Sequence, residues 1–199
     1  MAQWPAAKQV EPAESPGSGL TQSLLRQFYL GALSALAGDS AAAMAALAGM
    51  PRGDSLSPAD LRVVQATRAV VALADGDATA ALRALAPVPD TLLRSAIANG
   101  FGFGHGYERW LRAQALEATG RPAEAIGWYQ SFESWPMIDV VWLAPSLMQR
   151  GRLYEQAGQR DSARVAYGRA LAVWSGSDAR FGPAKETARV RLAALQDQR

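Results

Sequence analysis

The chain has 199 residues, about half of them hydrophobic, with a formal charge of only +2 despite a pI of 9.2. That length suits one domain with a sizeable core. The absence of cysteine excludes disulfides, thiolate metal sites and cysteine nucleophiles. A single histidine leaves little for a histidine-based metal site or triad.

Residues 1–18 are rich in Pro, Ser, Gly and Glu without an apolar period, and read as a flexible lead. They hold no apolar core of signal-peptide length, and no later run reaches the roughly 18 apolar residues of a membrane span. A soluble, cytoplasmic protein is expected, with residues 19–199 as its helical domain. Alanine is the commonest apolar residue and strand-like alternation is missing, so the expected class is all-α.

Four helical hairpins follow, over about 20–50, 58–87, 105–134 and 143–174. Further helices are expected at about 90–99 and 180–197. Ser57, Pro58 and Asp60 form a helix-start signature, as does Pro122. The hairpins share columns. A glycine lies in the middle of each: Gly38, Gly76, Gly120 and Gly158. Seven residues earlier stands a small residue: Gly31, Ala69, Ala113 and Gly151. Five residues later comes Ala43, Ala81, Ala125 or Ala163, then Leu47, Leu85, Tyr129 or Tyr167, then Met50, Val88, Phe132 or Ala170. The glycine ends a first helix in the left-handed region, the small residues let two helices touch, and the larger apolar residue fills the gap. Such a unit cannot bury its face alone, so neighbours must stack. The final segment, with Val190, Leu192 and Leu195 among charged residues, reads as a capping helix.

These columns resemble the tetratricopeptide repeat, most closely in "RAQALEATGRPAEAIGWYQSF" and "RGRLYEQAGQRDSARVAYGRA". The stretch from about 105 to 195 also resembles the C-terminal repeat regions of multi-domain bacterial signalling proteins. The glycine spacings of 38, 44 and 38 residues depart from the 34 of the family. The resemblance implies antiparallel helical hairpins stacked as an α-solenoid, whose first helices line a concave groove for a peptide or partner protein. The lining expected is Leu25, Phe28, Val63, Ala66 and Val70, then Tyr107, Trp110, Gln114 and Glu117, then Met148, Arg152 and Glu155. Tyr107, Trp110, Gln114, Glu117, Met148, Arg152 and Glu155 are the candidate partner-binding residues.

Several features tempt towards chemistry. "GFGFGHGYERW" at 100–110 lacks the spacing of a dinucleotide loop and the Gly-Lys-Ser/Thr of a phosphate loop. Residues 100–106 read as a joint between a short extra helix and the third hairpin, with a mobile ligand-contact loop around His105 as the alternative. Glu108, Glu117, Glu133 and Glu155 alternate with arginines and read as surface ion pairs. The arginines after 150 read as a solvated basic surface rather than a nucleic-acid stripe. The six tryptophans, Trp4, Trp110, Trp128, Trp135, Trp142 and Trp174, are core, or a binding surface. No catalytic residue, cofactor or metal is expected, and no nucleic acid. The function expected is a non-enzymatic interaction module; the alternative is a structural or self-associating subunit.

Overall fold

The computed structural model describes residues 18–51, 56, 58–86, 106–134 and 139–196. Residues 1–17 of the expected lead, the helix at 90–99, the Ser57 cap, Val88, Trp4, Trp135 and the loop with His105 lie outside the described residues, while Ser18, the last residue of that lead, already belongs to the first helix. Within them the protein is all-helical, without a strand. The helices are α1 (Ser18–Leu36), α2 (Ser40–Ala48), α3 (Pro58–Ala74), α4 (Ala78–Leu85), α5 (Gly106–Ala118), α6 (Pro122–Gln130), α7 (Val140–Gln156), α8 (Arg160–Val173) and α9 (Gly182–Gln196). α7 begins earlier than the expected 143 and carries Pro145 inside its second turn. The second hairpin closes at Leu85, short of 87.

Four hairpins form, α1–α2, α3–α4, α5–α6 and α7–α8, each packed helix on helix across a three-residue turn. Gly38, Gly76, Gly120 and Gly158 take φ of 77°, 81°, 74° and 71°, the region where a side chain is strained. Each turn closes with the same two bonds. In the first, the Gly38 N–H donates to the Ala35 carbonyl at 3.1 Å and the Asp39 N–H to the Ser34 carbonyl at 2.9 Å; in the last, Gly158 donates to Glu155 and Gln159 to Tyr154. That bond pair satisfies carbonyls the helix end leaves open.

The columns are packing columns. Ala69, Ala113, Ala43, Ala81, Ala125 and Ala163 are buried, as are Leu85, Tyr129 and Tyr167, while Leu47 is half-buried. Of the two glycines in the small-residue column, Gly151 has the sharper reason to be glycine: an added Cβ would lie 2.6 Å from the Tyr167 ring. Consecutive hairpins pack on one another in chain order, and α9 closes against α8.

The contacts between hairpins change along the chain. α1 packs chiefly on α3, first helix to first helix; beyond α5 the second helix of one hairpin meets the first helix of the next. Phe28, Val63, Ala66 and Val70 therefore lie in the core at 5% exposure or less, and do not line an open face as expected. Leu25 is partly buried against the same cluster.

Candidate functional site

The described surface opens between the third and fourth hairpins. Gln114, Glu117 and Ala118 of α5, Tyr129 of α6, and Gln149 and Arg152 of α7 line an open cavity of about 420 Å³. On α5, Gln114 and Glu117 fall three residues apart and share one face. On α7, Gln149 and Arg152 do the same. The buried small residues Ala113 and Gly151 sit on the inner sides of these helices and hold them close to their partners.

The cavity floor is polar and ordered. Glu117 accepts a hydrogen bond from the Tyr129 hydroxyl at 2.6 Å and pairs with Arg152 of the next hairpin. Arg152 also donates to Gln149 at 3.0 Å and Gln156 at 3.3 Å. Burial pushes the Tyr129 hydroxyl well above the usual phenol range, so it stays a donor. The arrangement repeats one hairpin on. The Tyr167 hydroxyl donates to Glu155 at 3.0 Å, and Arg191 of α9 reaches the same carboxylate at 2.6 Å. Burial first, then the hydrogen bond to Glu155 and that carboxylate's charge, raise Tyr167 to about 12.

Of the seven candidate residues, Gln114, Glu117 and Arg152 line the cavity. Glu155 belongs to the equivalent triad with Tyr167 and Arg191. Tyr107 and Trp110 are half-buried among rings. Tyr107 meets Phe28 edge-on at 5.5 Å and Trp142 at 5.7 Å; Trp110 meets Tyr129 at 5.2 Å and Trp142 at 5.5 Å. Met148 packs between the core groups of α7, α8 and α9. Gln149 was missed, although it stands three residues before Arg152; Tyr129 was read only as a packing residue.

No family model, curated protein or solved structure matches the chain. The site is therefore read on its own geometry. Its groups are two amides, one engaged arginine, one engaged carboxylate and the rim of a tyrosine. Such groups recognise backbone and polar side chains by hydrogen bonding.

The reading of surface ion pairs needs correction at Glu108. It is 1% exposed and accepts from Arg62 Nη2 at 2.7 Å and Nε at 3.2 Å. Burial raises its pKa and the Arg62 charge opposes that rise. Nearby Arg109 is also buried, donating to Asp139 at 2.5 Å and to Ser131. Glu117, Glu133 and Glu155 do pair with arginines, but across helices: Glu133 meets both Arg150 and Arg169. Of the basic residues after 150, Arg164, Arg180 and Arg189 also face carboxylates, those of Asp161, Asp178 and Glu186. The four described tryptophans, Trp110, Trp128, Trp142 and Trp174, are half-buried or buried, Trp128 beneath Arg112 at 4.7 Å. Among the described residues, no helix is long and apolar enough to cross a membrane.

Proposed function

We propose that the protein is a non-enzymatic interaction module, a tetratricopeptide-like α-solenoid that binds a peptide or partner protein between its third and fourth hairpins. The observation that carries this reading is the open cavity with Gln114 and Gln149 on facing first helices. Two amides from neighbouring repeats suit the backbone of an extended segment, since Gln114 offers a donor and an acceptor and Gln149, whose oxygen accepts from Arg152, offers its N–H groups. The repeat columns support the solenoid.

Glu117 is held by Tyr129 and Arg152, which suits an orienting role better than proton transfer. Tyr107 and Trp110 stiffen the site from beneath through Tyr129 and Trp142 and are not its contact surface. Arginines engaged with carboxylates favour a protein partner over nucleic acid, where free cations must meet phosphates.

The test is affinity capture from the native organism with the wild-type chain and a Gln114→Ala/Gln149→Ala double variant. Gln114 is exposed and Gln149 half-exposed, so the double variant should keep its helicity. A partner retained by the wild type and lost by the folded variant supports the site. Identical retention by both sinks it.

A further inference from the structure

α7 carries the arginine of one joint and the carboxylate of the next. Arg152 crosses to Glu117 of α5, and Glu155 receives Arg191 of α9 at 2.6 Å. The two α7 residues are three apart, a spacing at which opposite charges on one helix are neighbours. They do not pair in this structure, because each is turned to another helix. Four charges therefore have two ways to combine. Across the helices, Glu117 meets Arg152 and Glu155 meets Arg191. Within α7, Arg152 meets Glu155, and Glu117 and Arg191 are left over.

The choice rests on Arg191. Both carboxylates are largely buried, the Glu117 and Glu155 side chains at 17% and 13% exposure, so each needs a cation. Each also accepts from a tyrosine, Glu117 at 2.6 Å and Glu155 at 3.0 Å. Without Arg191, Glu155 is the more deeply buried of the two and the less well satisfied. Arg150, also on α7, is committed to Glu133 and falls on a different face. Lys185 of α9 is engaged with the Trp174 and Ser177 carbonyls. Arg152 is then the cation that Glu155 draws. Arg191 is also the charge that a partner reaches most easily: its side chain is 52% exposed, against 39% for Arg152.

We infer that Arg191 is the control point of the cavity between the third and fourth hairpins. While it holds Glu155, Arg152 serves Glu117 and the cavity is charge-balanced. An acidic group of a partner that draws Arg191 away hands Arg152 to Glu155 and leaves the cavity with the Glu117 charge alone. Gln149, released by Arg152, regains a free oxygen. The cavity then turns from one that offers N–H donors to one that offers acceptors and a negative charge. Binding of an acidic group at α9 thus favours a segment carrying lysine or arginine in the cavity. The regulatory use rests on the cavity being the binding site proposed above; the exchange of partners does not.

Double-mutant cycles read from urea unfolding of the full chain test the exchange, with circular dichroism on each variant. In the wild type, Glu117→Gln and Arg152→Met should couple by about fivefold in the unfolding equilibrium constant, and Arg152→Met and Glu155→Gln by less than about twofold. In an Arg191→Met background the two values should trade places. That variant keeps α9 docked, because Ala188, Leu192 and Leu195 still pack with Ala163 and Tyr167. Arg191→Lys, which keeps a cation beside Glu155, should restore the wild-type pattern. The Arg152 Nε–H resonance, assigned by its loss in Arg152→Met, should shift in Arg191→Met and return in Arg191→Lys. A Glu117–Arg152 coupling absent from the wild type, or unchanged by Arg191→Met, overturns the inference. So does its loss without a new Arg152–Glu155 coupling, and so does an unmoved Arg152 resonance. No partner enters these measurements. A folded Gln114→Ala/Gln149→Ala variant that still retains its partner defeats the binding site and leaves the exchange standing; failed cycles do the reverse.

Discussion

In the first two hairpins α1 lies directly on α3 through small and branched side chains: Gly31 against Thr67, with Ala35, Ala66, Ala69 and Val70 buried around them. In the last two, helices meet through rings and charges: Tyr129 with Glu117 and Arg152, then Tyr167 with Glu155 and Arg191. The turns share their closing bonds, yet their caps differ. Asp39 and Asp77 accept from the N–H groups of Ala42 and Ala80 at 2.9 and 2.8 Å, whereas Arg121 and Gln159 provide no side-chain cap. One hairpin plan therefore supports two kinds of joint. An apolar joint needs close approach and leaves no groove. A joint of tyrosine, glutamate and arginine spans more distance and leaves a polar cavity open beside it.

The largest effect is expected where the two halves meet, at Arg62 and Glu108. Arg62→Met should cost about 3 kcal/mol at neutral pH, because the Glu108 carboxylate stays buried while its nearest positive charge is gone. The loss has a pH signature. Burial already holds the Glu108 pKa above its ordinary value, and without Arg62 it rises further. The folded state then binds the proton more tightly than the unfolded chain, so the variant gains stability as pH falls towards the unfolded carboxylate pKa. Thermal melts at pH 7 and pH 5 should show the gap to wild type narrowing; a gap that widens on acidification would contradict this account.

Next comes a pair of glycines that occupy one column. Gly151→Ala should destabilise by about 2 kcal/mol, since the Tyr167 ring must move. Gly31→Ala should be nearly neutral, because the Thr67 methyl has to yield only slightly and alanine favours the helix by about 0.5–1 kcal/mol. Urea titration of both variants checks the contrast, and equal losses would show that the Tyr167 ring yields as readily as the Thr67 methyl.

Exchanging caps is a smaller perturbation. Asp77→Ala should cost about 1 kcal/mol. Gln159, at φ −87° and ψ 69°, has nearly the backbone of Asp77 at φ −90° and ψ 75°. Gln159→Asp should therefore gain up to about 1 kcal/mol by supplying the cap that turn lacks. Differential scanning calorimetry would detect the opposite shifts. Smallest of all, Tyr167→Phe should cost about 1 kcal/mol or less through loss of the bond to Glu155, and a chemical melt with no change would mean that Arg191 alone holds the carboxylate.

Much of the fold was legible because the turn is a local matter. A glycine at each column position reports positive φ, and the small residues seven before and five after it report close helix contact. Where the first helices would meet was not legible. Phe28, Val63, Ala66 and Val70 suit a groove lining and a helix–helix core equally well, and only the α1–α3 contact decides between them. The burial of Glu108 was hidden for a similar reason: Arg62, its partner, stands 46 residues away in another hairpin. Of the candidate site, Gln114, Glu117 and Arg152 were readable from face sharing on α5 and α7. Tyr107 and Trp110 share a face of α5 in the sequence, but Trp142, whose ring meets both, comes from α7, 32 or more residues on.

The reach of the charged joints bears on how the chain assembles during synthesis. Glu117 waits for Arg152, 35 residues on, and Glu155 for Arg191, 36 residues on. No joint of this kind needs a distant terminus, so the loop each must close is short and low in entropic cost. A chain leaving the ribosome can fasten each hairpin as soon as the next first helix emerges, and growth proceeds one latch at a time from the α1 end. Release of a nascent chain ending near residue 175 should then leave Glu117 latched to Arg152 and Glu155 still waiting.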